Sequence, residues 1–214
     1  MIAKFDLFYS LEHEKQQHII DAAMAEFAGK GFKHASTNAI VENAGISKGM
    51  LFYYFGSKEE LFDFLCEYTL EFGKVEYLQK FAREKTGDFL ERCKLLSEIK
   101  HGIMTGFPAT MKFLESLSSP ANEEHFAKYQ REAQEMREGV RKNLYDDIDY
   151  SLFRDDIDPQ NIVSYIKWLM DSYEAEVTMR VRSKGLEYNS KDLAEEWERF
   201  YAFTGDLRKI FYKN

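Results

Sequence analysis

Hydroxyl and ammonium groups that can bind phosphate are concentrated in one short stretch of the chain. Tyrosine and threonine hydroxyls donate hydrogen bonds to phosphate oxygens, and a lysine ammonium group adds a full positive charge. The groups are the hydroxyls of Thr37, Tyr53 and Tyr54 and the ammonium groups of Lys48 and Lys58. Residues 37–58 are therefore a candidate surface for binding a phosphate backbone.

The charge of this stretch differs from that of the whole chain. The 214 residues have a formal net charge of −8, which argues against a surface coated by nucleic acid. From residue 30 to residue 58, however, four lysines stand against one glutamate, Glu42, which gives a local net charge of +3. A local cluster of this kind can bind phosphates while the rest of the chain is acidic.

Two amphipathic helices are predicted to precede the candidate surface. Residues 12–30 repeat apolar side chains at helical spacing, and Gly31 can take the left-handed conformation that closes a helix. Ser36 or Thr37 can cap a second helix, TNAIVENAG, which Gly45 ends after about two turns.

Two further helices carry the aromatic and basic groups. Ser47 can cap KGMLFYYF after a turn of only three residues, GIS, so the second and third helices are predicted to form a helix-turn-helix. Ser57 and Glu60 fit the S-x-x-E capping box at the start of the fourth.

The aromatic run in the third helix is predicted to divide between two faces. Helical spacing places Leu51 and Phe55 on the face that packs inward. The same spacing turns Tyr53 and Tyr54 outward, where their hydroxyls can reach phosphate, and Lys58 adds an ammonium group at the start of the fourth helix.

The string FAGKGFKHASTNAIVENAGISKGMLFYYFGSKEELF, within residues 17–64, resembles the DNA-binding domain of the TetR family of bacterial transcriptional regulators. The resemblance implies contacts to phosphates at Thr37, Tyr54 and Lys58 and places Asn38, Lys48, Gly49 and Tyr53 near bases or backbone. The whole predicted DNA-binding set is Thr37, Asn38, Ser47, Lys48, Gly49, Met50, Phe52, Tyr53, Tyr54 and Lys58.

Two residues depart from the family pattern. Met50 stands where a small hydroxyl residue is common, and Phe52 stands where a tyrosine is common, so Phe52 can make only an apolar contact such as one to a thymine methyl. The first arginine is Arg83, so base readout is expected to depend on Lys48 and Asn38 together with DNA shape.

The predicted fold is all-α. A three-helix helix-turn-helix domain at residues 1–60 continues into a larger helical domain at residues 61–214. Further helices are predicted at roughly 76–85, 88–104, 108–117, 120–145, 159–183 and 190–212. Ser119 with Pro120, Gly185 and Ser190 are the predicted boundary residues in the second half.

The resemblance implies that the larger domain dimerises and binds a small-molecule inducer. The apolar stripes of the last two helices either close the core or form a homodimer surface. The candidate interface residues are Ile162, Ile166, Leu169, Tyr173, Trp197, Phe200, Thr204 and Leu207. The candidate ligand-binding residues, which at helical spacing are also typical of a core, are Met104, Phe107, Met111, Phe113, Tyr129 and Trp168.

Other classes of function lack their motifs. The chain has no G-x-S-x-G, Gly-rich phosphate loop or H-E-x-x-H, so we expect neither an enzyme nor a cofactor. Its five histidines and two cysteines show no metal-ligand spacing, and Cys66 and Cys93 are expected to be buried apolar residues, with a redox pair as the alternative. No run of residues is long and apolar enough for a bilayer, and we expect a cytoplasmic protein.

These observations predict a repressor that binds a palindromic operator in double-stranded DNA as a homodimer and leaves it when an inducer binds. Two alternatives remain open at this point. One is an activator with the same DNA-binding domain, and the other is a helical adaptor or enzyme whose N-terminal bundle binds protein, which the overall negative charge favours.

Overall fold

The computed structural model describes residues 5–117, 126–183 and 193–213. The regular structure of these ranges is helical, apart from one isolated β-bridge between Phe153 and Tyr212. The α-helices are α1 (Asp6–Tyr9), α2 (His13–His34), α3 (Thr37–Ala44), α4 (Lys48–Phe55), α5 (Lys58–Gly73), α6 (Lys80–Glu84), α7 (Phe89–Gly106), α8 (Pro108–Ser116), α9 (Gln130–Tyr145), α10 (Pro159–Ser183) and α11 (Leu193–Phe211). A π-helix spans Lys74–Gln79, and 3₁₀ turns span Ala127–Tyr129 and Tyr150–Leu152.

The chain forms two compact units. Unit 1 consists of Met1–Val75 and Phe107–Met136, and unit 2 consists of Glu76–Gly106 and Arg137–Asn214. The predicted functional boundary at residue 60 stays a prediction. The all-α class is confirmed, since every named element is a helix or a helical turn.

Most predicted helices are present close to their expected bounds. The exceptions have local causes. α1 was not predicted because four residues are too few to show a helical period. The range of α2 contains a kink at Gly31, where the sequence predicts a helix end: its φ of 71° and ψ of 164° are not helical, and a short helical segment follows to His34. The predicted boundary residues Ser119, Pro120, Gly185 and Ser190 lie outside the described residues.

Each unit has its own apolar core. In unit 1 the core joins α1 to α5 with α8 and includes the fully buried Phe27, Phe62 and Phe113. In unit 2 it joins α7, α10 and α11 and includes Phe153 and Ile166. Both cysteines are buried in these cores, which fits their predicted role as apolar residues.

Two further observations concern the described residues only. No helix among them is long and apolar enough to cross a membrane. No group of three or more histidine, cysteine, aspartate or glutamate side chains among them is arranged to hold a metal ion.

Candidate nucleic-acid interface

Three serines begin the three helices that carry the candidate site. Each serine hydroxyl accepts a hydrogen bond from the backbone N–H three residues later: Ser36 from Ala39 at 3.4 Å, Ser47 from Met50 at 3.2 Å and Ser57 from Glu60 at 3.0 Å. These bonds satisfy one of the free N–H groups at each helix start. The first turns of α3, α4 and α5 therefore have defined positions, with N–H groups of the kind that bind anions.

The turn between α3 and α4 depends on Gly45. Its φ of 64° and ψ of 32° place it in the left-handed region, where glycine has no steric penalty. The N–H of Ile46 donates to the carbonyl of Val41 at 3.0 Å, five residues earlier, which is the 6→1 hydrogen bond of a Schellman motif. The geometry ends α3 sharply and lets α4 begin two residues after Gly45, at Ser47 as its cap.

The inner face of α4 is held by aromatic contacts. Leu51 and Phe55 are buried, with 1% and 2% of their surface exposed, which confirms their predicted direction. The ring of Phe55 lies 4.9 Å from that of Phe8 in α1 and 5.1 Å from that of Phe64 in α5. α4 is therefore fixed from one side by a segment before α2 and from the other by the helix that follows it.

The outer face of α4 is exposed along its length. Tyr53 is 66% exposed and Phe52 is 37% exposed, although both are large apolar or aromatic side chains. Lys48 and Gly49 in the first turn are exposed, and Met50 is half-buried. The face predicted to meet DNA is therefore accessible at its first turn and at its aromatic residues.

Gly49 has no packing partner that would explain it. A Cβ atom added there would meet only the Ser47 hydroxyl, at 3.9 Å. Glycine lowers helix stability relative to alanine by about 1 kcal/mol, so its presence in an open position has no benefit within the protein. Glycine at this position would be an advantage if a large partner approached the backbone of α4 closely.

Two residues of the predicted set differ from their expected orientation. Tyr54 is half-buried and packs on the core, with its ring 6.2 Å from that of Phe8, so it does not turn outward as Tyr53 does. The Lys58 ammonium group donates to the carbonyl of Lys33 at 3.3 Å and lies 5.0 Å from the centre of the Phe32 ring. Lys58 is thus directed toward the end of α2 in the protein without DNA.

A buried carboxylate that is not among the predicted site residues positions the start of α3. Glu26 accepts a hydrogen bond from the backbone N–H of Ser36 at 2.8 Å and pairs with Lys30 at 2.9 Å, while only 7% of its side chain is exposed. Burial on its own would raise the pKa of Glu26, but the Ser36 hydrogen bond and the Lys30 charge outweigh it, and the pKa lies below its usual range. In the sequence, the signal for this role was the position of Glu26 beside the apolar stripe of α2.

The first turn of α3 and the surrounding charges complete the candidate site. Asn38 is exposed, Thr37 is half-buried, and Ser47 is exposed. Burial lowers the pKa of Lys58, while Glu26 acts in the opposite direction. Glu59 lies in the first turn of α5 and reduces the positive character of that helix start. The first turns of α3 and α4, in contrast, contain no acidic residue.

The predicted ligand-binding residues are spread over both units. Phe113 and Tyr129 are buried in the core of unit 1, where Phe113 packs on Phe62 and the Tyr129 hydroxyl donates to the carbonyl of Asp63. Phe107 is exposed and Met111 half-buried in the same unit, whereas Met104 and Trp168 belong to unit 2. Their common role stays a prediction.

The predicted dimer residues mostly close the core of unit 2. Ile162, Ile166, Phe200, Thr204 and Leu207 are buried in the single chain, so they are unavailable as a surface. Tyr173 and Trp197 are half-buried and Leu169 is exposed. The apolar stripes allowed two interpretations, a closed core or a homodimer surface, and these five residues pack in the core. The large exposed apolar residues of α10 lie on another face: Tyr165, Trp168, Leu169 and Met179.

The site geometry defines a helix-turn-helix protein, since a short helix with an exposed face follows a tight glycine turn and packs on the helices before it. Residues 19–64 match the model of the bacterial regulatory proteins, tetR family. This match includes the whole of α3 and α4 and parts of α2 and α5, so this part of the chain is similar to that family.

Relatives match over the N-terminal part. The uncharacterized HTH-type transcriptional regulator YfiR of Bacillus subtilis (strain 168) is 35% identical over 77 residues, which covers 35% of this chain and 37% of YfiR. The HTH-type transcriptional regulator AcrR of Shigella flexneri is 32% identical over 71 residues, which covers 32% of this chain and 33% of AcrR. The match therefore spans about a third of the length of these relatives.

Solved structures resemble the chain over nearly its full length. The ketosteroid transcriptional regulator KstR2 of Mycobacterium tuberculosis has a TM-score of 0.60 at 20% identity, with 96% of this chain and 98% of that chain covered. A putative fatty acid metabolism regulator of Clostridium perfringens has a TM-score of 0.53 at 22% identity, with 90% and 97% covered. These likenesses extend the shared fold beyond the helix-turn-helix.

Proposed function

We propose that the protein is a transcriptional regulator that binds double-stranded DNA through α4 and acts as a homodimer. The observation that carries the proposal is the outer face of α4, where Tyr53 and Phe52 remain exposed and Gly49 leaves the backbone open. A recognition helix enters the major groove with its N-terminal residues toward base edges. In this position Lys48 would contact bases or backbone.

The same arrangement supplies contacts to phosphate. The exposed first turns of α3 and α4 offer backbone N–H groups, and Thr37 and Tyr53 offer hydroxyls that donate to phosphate oxygens. Lys58 would have to leave the carbonyl of Lys33 to reach a phosphate. Because that bond is exposed and 3.3 Å long, the cost of breaking it is small.

The test is fluorescence anisotropy with the full chain and DNA fragments from upstream of its own coding sequence, at several salt concentrations. We expect saturable binding that weakens as salt rises, because phosphate contacts release counterions. The matched control is Lys15→Ala, which removes an exposed lysine of α2 outside the candidate site. Absence of saturable, salt-sensitive binding to any fragment would refute the proposal.

For the homodimer, the supporting observation is the exposed apolar face of α10. The spacing of the exposed residues, at intervals of three, one and ten, places them on one side of the helix. They are Tyr165, Trp168, Leu169 and Met179. Exposed apolar side chains grouped in this way mark an interaction site. Two copies would present two recognition helices to a palindromic operator.

We further infer that a small molecule controls DNA binding. Binding of this molecule releases the protein from its operator, so the protein is a repressor. Unit 2 supports this, because it holds a cavity of about 330 Å³, within the range of small-molecule sites. An activator would use the same contacts to DNA. A reporter gene behind the operator distinguishes them, since deletion of a repressor raises expression and deletion of an activator lowers it.

A protein-binding N-terminal bundle is the competing function, and the net charge of −8 favours it. Retention on a heparin column at low salt separates the two functions. A DNA-binding α4 face predicts retention that Lys48→Ala reduces, whereas a protein-binding bundle predicts none.

A further inference from the structure

We propose that the short helix α1 positions α4, and that its buried residue Phe8 holds α4 at the orientation in which the outer face recognises an operator. This inference rests on the proposed function, because it names what fixes the DNA-contacting helix of the same site. α1 spans Asp6–Tyr9 and precedes residues 19–64, the part of the chain that matches the family model. The proposed positioning element is therefore additional to the matched helix-turn-helix.

α4 is too short to set its own direction. It has eight residues, Lys48–Phe55, and isolated helices shorter than about 12–15 residues are marginal in water. Its buried side chains are those of Leu51 and Phe55. The orientation of α4 therefore depends on the side chains that pack against these two residues.

Four phenylalanine rings form a cluster on the inner face of α4. The ring centre of Phe8 lies 4.9 Å from that of Phe55 and 5.2 Å from that of Phe64 in α5. Phe5, the residue before α1, has its ring centre 4.9 Å from that of Phe64 and 6.0 Å from that of Phe55. Phe8 is fully buried, and Phe5 is buried as well. Half of the cluster therefore comes from the segment that contains α1.

The contacts of Phe8 also reach the outward-facing residues of α4. The ring centre of Phe8 lies 6.2 Å from that of Tyr54, and the ring centre of Tyr54 lies 5.8 Å from that of the exposed Tyr53. Both pairs are edge-to-face, a favoured arrangement of aromatic rings. A smaller side chain at position 8 would therefore weaken the support of Tyr54 and Phe55 together.

α1 is itself attached to the start of α2. The side-chain amide of Gln16 in α2 donates to the carbonyl of Tyr9 at 3.1 Å and to the carbonyl of Leu11 at 2.7 Å. The opposite side of α1 faces solvent, since Leu7 is 50% exposed. Because Phe8 and Leu7 lie on different sides of one helix, each side can be changed separately.

Base recognition depends on the orientation of α4 more than generic DNA binding does. Hydrogen bonds to base edges need donor–acceptor distances of about 2.7–3.2 Å, so a rotation of the helix breaks them. Binding to the phosphates of generic DNA is largely electrostatic and tolerates such a rotation. A loss of support at Phe8 should therefore reduce the affinity for an operator and leave the affinity for generic DNA unchanged.

The first measurement is hydrogen exchange of the full chain without DNA, followed by mass spectrometry. The test variant is Phe8→Leu, which keeps an apolar side chain and removes the ring. We expect the amides of residues 51–56 to exchange about fivefold faster or more, with a smaller change in α2, because local support of α4 is lost. Leu7→Ala should leave the exchange of α4 unchanged. No change in α4, or an equal change in all helices of unit 1, would refute the inference.

A second control separates positioning from general stability. Phe126 is buried in the core of the same unit, and its ring centre lies 6.1 Å from that of Tyr129. Phe126→Leu therefore makes the same substitution in the same core outside the phenylalanine cluster. It should not accelerate exchange in α4 selectively. If it accelerates α4 as strongly as Phe8→Leu does, the inference is wrong.

The second measurement is the ratio of affinities for operator and generic DNA, by fluorescence anisotropy. The operator is the upstream fragment that wild type binds saturably. Phe8→Leu should reduce operator affinity by about fivefold or more, the loss from a single base contact, with generic affinity and salt slope unchanged. Phe126→Leu should leave the ratio unchanged. A purely stabilising role of Phe8 would lower both affinities by one factor or neither of them, and either outcome would overturn the inference.

The two proposals can fail separately. If wild type binds no fragment, the DNA-binding function is refuted, while hydrogen exchange still supports or refutes the positioning of α4 by Phe8. If wild type binds an operator and Phe8→Leu keeps the affinity ratio, the DNA-binding function stands and the inference is refuted. Phe5→Leu, which removes the other ring of the N-terminal segment, repeats both measurements if circular dichroism shows that Phe8→Leu does not fold.

Discussion

Replacement of Glu26 by alanine is expected to destabilise the protein by about 1–3 kcal/mol. The substitution removes the acceptor of the Ser36 N–H, a 2.8 Å hydrogen bond that is partly buried, and an unsatisfied donor of this kind has that cost. The Lys30 pair adds less than about 1 kcal/mol, because 53% of the Lys30 side chain is exposed. Lys30→Ala is therefore the matched control.

The effect of Glu26 should depend on pH in a defined direction. Its folded pKa lies below the unfolded value of about 4.3. A carboxylate with a lowered pKa contributes stability that is fully present above the unfolded pKa and is lost as pH falls through the folded pKa. Glu26→Gln keeps the shape and removes the charge. The stability difference between wild type and Glu26→Gln should be constant near pH 7 and decrease below about pH 4.

Urea unfolding followed by circular dichroism, at pH 7 and at pH values between about 3 and 5, measures these differences. The reasoning is refuted if Glu26→Ala lies within about 0.5 kcal/mol of wild type, the range of ordinary surface substitutions. It is also refuted if Lys30→Ala is as destabilising as Glu26→Ala, since the exposed ion pair would then be the main contribution.

Four further outcomes are expected. Gly49→Ala should raise the free energy of unfolding by about 0.5–1 kcal/mol and weaken DNA binding, and unchanged affinity would show that no partner approaches that backbone. Lys58→Ala should weaken binding to all DNA sequences alike and reduce the salt slope by about one; a changed base preference with an unchanged slope would contradict its phosphate role. Phe52→Ala should change the base preference and leave the salt slope unchanged. A selection with randomised operators detects the changed preference. Trp168→Glu should convert a dimer to a monomer in sedimentation equilibrium. Helicity should not decrease, because the Trp168 side chain is 66% exposed. The control, Tyr150→Glu, should leave the dimer intact.

Local signals in the sequence were sufficient to predict the helices of the candidate site. Ser47 and Ser57 begin helices because their hydroxyls satisfy backbone N–H groups within three residues, and Gly45 ends α3 because only a residue without Cβ takes that conformation freely. The directions of Leu51 and Phe55 follow from the helical period alone. Each of these features depends on residues that are neighbours in the chain.

The remaining features depended on contacts between distant residues. Lys58 bonds to a carbonyl 25 positions earlier, and Tyr54 is half-buried because Phe8 of α1 packs on it. Period and hydropathy do not encode such pairings. The same limit applied to Glu26, whose partner is the N–H of Ser36 ten residues later.

The last two helices show this division most clearly. The wide apolar stripes of α10 and α11 follow from the order of residues alone, because the period of an α-helix places those residues together. Which part of each stripe is buried depends on the packing of the helices: Ile166 and Phe200 pack within unit 2, while Trp168 stays exposed. The physical reason is that burial is a property of packed surfaces, and a helix does not specify which side its neighbours will cover.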